Sequence, residues 1–114
     1  MTQHASLSPE RWASFARDQQ LLMIANEMNR ASSLVAAVDL PGFRHCYERV
    51  LRLVDLTVEV NSSRALRREL LRWRELAAAV FVAPAPSAQQ HLELFRALLL
   101  LTPATARQIP FVLR

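Results

Sequence analysis

The chain has 114 residues, 52% of them hydrophobic and 21% charged, with a net charge of +4; this is the make-up of one ordinary domain and excludes disordered, collagen-like and disulfide-scaffold classes. One glycine (Gly42) among 17 alanines and 19 leucines excludes a phosphate-cradling glycine loop and argues against a β-sandwich, since both need residues at positive φ. All fourteen basic residues are arginine, and eight of them fall with only three acids in residues 61–114, against six with seven acids in residues 1–60, so the second half is the basic half.

A first helix is predicted over 9–37. Ser8 stands as N-cap with Pro9 at the first helical position, and Leu7 and Trp12 are spaced as a hydrophobic staple. Apolar residues recur from Trp12 and Phe15 through Leu22, Met28 and Leu34 to Val38, with no proline or glycine before Pro41. Asp39 then caps a second helix, 40–59, whose apolar positions Phe43, Cys46, Tyr47, Val50 and Val54 repeat at three and four. Asn61-Ser62-Ser63 ends it, and one of these serines caps a third helix, 63–82. Its apolar residues Leu66, Leu70, Trp73, Ala77 and Val80 fall within about 80° at 100° per residue. Pro84 and Pro86 stop it, and Ser87 opens a fourth helix, 88–101, that ends before Thr102-Pro103. The remaining residues read as extended or weakly helical. The fold class expected is all-α, a four-helix antiparallel up-down bundle forming one domain over 1–114.

Catalytic and metal-binding patterns are weak. His45 and Glu48 reverse the Glu-x-x-His order of a di-iron site, and His91 and Glu93, two apart, point in different directions. Cys46 beside His45 diverges from it by about 100° on a helix and cannot be activated by it; with Phe43 and Val50 it belongs to the core stripe. No cofactor or metal is expected. The first residues lack a basic start and an apolar run, and no apolar run reaches the ~18 to 20 residues of a bilayer span, which predicts a cytoplasmic protein without a membrane segment.

The most distinctive pattern is Arg64, Arg67, Arg68, Arg72 and Arg74, which spread over about 160° of the third helix opposite its apolar stripe. Arg64, Arg68 and Arg72 follow each other at i+4 and repel by a few tenths of a kcal/mol per pair. Water, the acids Asp39, Asp55 and Glu59, a partner's carboxylates or phosphates would each compensate. The second pattern is apolar surplus: Leu21 and Ile24 in the first helix, and Leu98, Leu99, Leu100 and Leu101 in the fourth, point all round their helices, which predicts a homodimer contact through these residues. The helix pair joined at Asp39 to Gly42 has spacing like that of a tetratricopeptide unit or a small nucleotidyltransferase-associated helical domain, but identifies neither: no further copy follows and no catalytic Arg-x4-His is present. The functional expectation is a small non-enzymatic interaction or adaptor protein acting as a homo-oligomer. The alternative is a nucleic-acid or anion-binding accessory using the arginines of the third helix.

Overall fold

Short polar side chains set the helix starts in the computed structural model, which describes residues 7–113. Ser8 Oγ accepts from the Arg11 amide at 3.2 Å and opens α1 (Pro9–Ala13). Asp39 accepts from Gly42 at 3.0 Å and opens α3 (Leu40–Val60). Ser63 opens α4 (Arg64–Val82), Ser87 opens α5 (Ala88–Leu99) and Thr102 opens α6 (Pro103–Ala106), each accepting from the amide three residues on. With α2 (Arg17–Ala36) and α7 (Ile109–Val112), the described residues form helices and connecting turns, without a strand.

The first predicted helix is two helices. Residues 14–16 interrupt it, and Ala16 is extended (ψ 153°). The apolar period runs through this point, so the cause is not local patterning but side-chain bonding. The Gln20 carboxamide donates to the carbonyls of Trp12 (2.9 Å) and Phe15 (3.0 Å), and Gln19 accepts from the Ala16 amide. These bonds satisfy helix-end groups that a continuous helix would have satisfied internally. The break lets Trp12, fully buried, donate its indole N–H to Thr57 Oγ1 of α3 at 2.9 Å. The fourth predicted helix ends two residues early, at Leu99, and the tail beyond it forms the short turns α6 and α7.

The principal helix contacts run α2 to α3, α3 to α4, α4 to α5 and α5 back to α2, with α1 on α3 and α6 on α2. One core lies between them, built from Ile24, Met28, Phe43, Tyr47, Leu53, Leu70, Phe95 and Leu98 among others. Polar side chains tie the ring at fixed points. Asn61 at the end of α3 donates to Gln20 near the start of α2 (2.9 Å), Thr102 donates to Asp18 (2.8 Å), and Arg44 donates to the Ala83 carbonyl (3.0 Å). His91, fully buried on α5, lies 3.0 Å from the Met28 carbonyl and 2.9 Å from Ser32 Oγ through Nε2, and 2.7 Å from Tyr47 Oη through Nδ1. A carbonyl only accepts, so Nε2 carries the proton and Nδ1 accepts from the tyrosine. One neutral imidazole thus joins α2, α3 and α5.

Candidate functional site

What α4 presents outward depends on how its rotation is fixed. Leu66, Leu70, Trp73 and Ala77 are buried as the spacing predicts, and the Trp73 indole N–H donates to the Leu94 carbonyl of α5 at 2.9 Å. On the opposite flank Arg74 binds Asp55 of α3 through Nε and Nη2 at 2.6 and 3.1 Å. That hydrogen bonding, more than the charge of Asp55, raises the Arg74 pKa above its ordinary value against the opposing effect of burial. A helix pinned on both flanks can turn only one face to solvent.

That face brings together four of the five predicted arginines. Arg64, Arg67, Arg68 and Arg72 are exposed, while Arg74 is turned aside into its pair with Asp55. Arg72 stands 3.7 Å from Glu69, both well exposed. Arg64, Arg67 and Arg68 form no ion pair with any carboxylate among the described residues. From Arg64 to Arg68, about 6 Å of helix, three positive charges therefore stand on the surface without a paired carboxylate. The same face also carries Leu71, Leu76 and Val82, exposed at 49, 57 and 70%. Sequence reading missed these. Leu70 and Leu71 are adjacent, so only one of them can join the stripe, and that signal was available.

Four of the six leucine and isoleucine residues of the predicted apolar contact are buried within the single chain. Leu21, Ile24, Leu98 and Leu99 are at most 1% exposed in the single chain, which leaves only Leu100 exposed and Leu101 partly covered. The reason is that α5 packs against α2 on one side and α4 on the other, and α6 packs on α2, so both flanks of the leucine run are covered within the fold. Phe15, an apolar residue of the first predicted helix, is only partly buried against the core.

The α4 face supplies charge and apolar contact but no nucleophile. Elsewhere, desolvation raises the Cys46 thiol pKa, raises that of the Tyr47 phenol and lowers that of His91. Among the described residues no group of three histidine, cysteine or acidic side chains is placed to hold a metal ion, and no helix is long and apolar enough to cross a membrane. No protein-family model, curated protein or solved structure matches the chain.

Proposed function

We propose that the protein is a non-enzymatic interaction module whose outward α4 face binds an acidic partner segment carrying apolar side chains. The observation that carries this reading is the placement of Arg64, Arg67 and Arg68, exposed and without carboxylates of their own, on the face that also exposes Leu71 and Leu76. A run of like charges at i+4 is self-repelling, and a partner helix with carboxylates at the same spacing relieves it. Exposed ion pairs contribute only about 0.2 to 1 kcal/mol each. The arginines therefore set orientation and encounter rate, and the leucines and Val82 supply the apolar burial that holds the partner. Four long helices with α1, α6 and α7 appended are read as an up-down antiparallel bundle, supported by bonds that join the end of one helix to the start of its neighbour, such as Asn61 to Gln20.

The test is binding of a fluorescent helical peptide rich in glutamate and leucine, beside a labelled DNA duplex of about two turns, at ~50 mM salt, with sedimentation of the protein alone. Peptide binding that weakens with salt and is lost in the double variant Arg64→Glu, Arg68→Glu supports the proposal. Tighter binding of the duplex, with a salt slope that shrinks by about one per arginine removed, replaces it with the nucleic-acid reading. Self-association abolished by the same variant makes a second copy the partner, and a monomer that binds neither probe overturns the α4 site.

A further inference from the structure

Between the end of α2 and the start of α3 lies a groove of about 610 Å³ whose lining includes Arg30, Ser33, Leu34, Pro41, His45 and Arg49, within the volume range of ordinary small-molecule sites. Beneath it Glu27 is 3% exposed and accepts from Arg49 Nε at 2.8 Å and from Arg30 Nη1 at 3.2 Å. Arg49 Nη2 also donates to Cys46 Sγ at 3.4 Å. We propose that this groove binds a small organic monocarboxylate, its head on Arg30 and Arg49 and its apolar body along Leu34 and Pro41.

One buried carboxylate draws guanidinium groups from two different helices to the same point. A single arginine neutralises Glu27; the second leaves the three side chains at a net charge of +1. Arginine carries five N–H donors, and Arg30 spends one on Glu27 while Arg49 spends one there and one on sulfur. Both therefore retain further N–H donors for a ligand. A carboxylate takes such donors in the bidentate geometry that guanidinium favours, and a monoanion offsets the charge of the second guanidinium. A dianion would carry its second charge toward the Glu27 carboxylate. Tethering by Glu27 fixes the arginines before the ligand arrives, which reduces the ordering cost of binding. The rest of the lining is predominantly apolar, so the ligand that fits has a hydrocarbon body.

The experiment is an amide NMR titration of the full chain with sodium hexanoate, with hexan-1-ol and sodium phosphate as parallel probes. Saturable shifts at Gly42, His45 and Cys46 with hexanoate are expected, with hexan-1-ol and phosphate each bound at least about tenfold more weakly. Arg30 is 69% exposed, so Arg30→Gln keeps the fold, verified by an unchanged spectrum elsewhere, and is expected to weaken hexanoate by roughly tenfold. Equal shifts with the alcohol, tighter binding of phosphate, unchanged affinity in Arg30→Gln, or no saturation by ~10 mM each overturn the proposal.

Discussion

Val38 adopts φ 57° and is 87% exposed. It ends α2 in a Schellman turn, with the Asp39 amide donating to the Leu34 carbonyl at 2.9 Å and the Val38 amide to the Val35 carbonyl at 3.2 Å. Glycine is the usual residue there, and a β-branched side chain in the left-handed region costs on the order of 1 to 2 kcal/mol. Val38→Gly is expected to raise stability in urea by about 1 kcal/mol, the greater freedom of unfolded glycine offsetting part of the relief. At the other extreme of burial, His91 has both ring nitrogens occupied and a pKa lowered from 6.5 by desolvation. The unfolded chain takes up this proton first as pH falls, so the contribution of neutral His91 is fully present above about 6.5 and declines below it until the folded value is reached. Urea midpoints measured at falling pH are expected to show this loss, and His91→Gln is expected to be less stable at neutral pH but to lack the His91 component of the slope. Tyr47→Phe leaves Nδ1 of the imidazole without its donor and is expected to cost about 1 to 3 kcal/mol.

At the scale of the helix, α4 is held to α5 by Trp73, which is 3% exposed and donates to the Leu94 carbonyl. Trp73→Ala is expected to cost roughly 3 to 5 kcal/mol in equilibrium unfolding. The helix starts were legible in the sequence because a cap acts within three residues: Ser8, Asp39, Ser63 and Ser87 do in the fold what their spacing announced. The break after α1 was not legible, because Trp12 is buried by a bond to Thr57, 45 residues away, and Gln20 reaches back to finish the first helix. The leucines of α5 show the same limit. Periodicity revealed that Leu98 and Leu99 are more apolar than one face requires, but only the placement of α5 between α2 and α4 decides that they are core. The exposure of Arg64, Arg67 and Arg68 followed from the stripe opposite them, whereas the Glu27 and Arg49 pair, 22 residues apart on different helices, carried no spacing signal.

Across the whole molecule, 37 × 31 × 23 Å in extent, the α4 arginines and the core are separable by mutation. Arg68→Glu places an acid between Arg64 and Arg72 and is expected to raise thermal stability slightly, by about 0.5 kcal/mol at low salt, through two i,i+4 attractions in place of two repulsions; the gain is expected to fade as salt is added. Partner binding through this face is expected to fall in the same variant, so stability and binding change in opposite directions. The five-residue α1 has a different standing in the molecule. It is too short to be helical alone, and the bonds that hold it run from Trp12 to Thr57 and from Gln20 to its final carbonyls. Detaching it undoes those bonds while leaving the α2–α3–α4–α5 ring closed, so the chain has an opening reaction of lower free energy than global unfolding. Native-state hydrogen exchange is expected to find it as a separate cooperative unit, in which the amides of Trp12 and Phe15 exchange together and ahead of those of α3. Such a unit makes Trp12 fluorescence a reporter of partial opening, distinct from Trp73, which reports the loss of the ring itself.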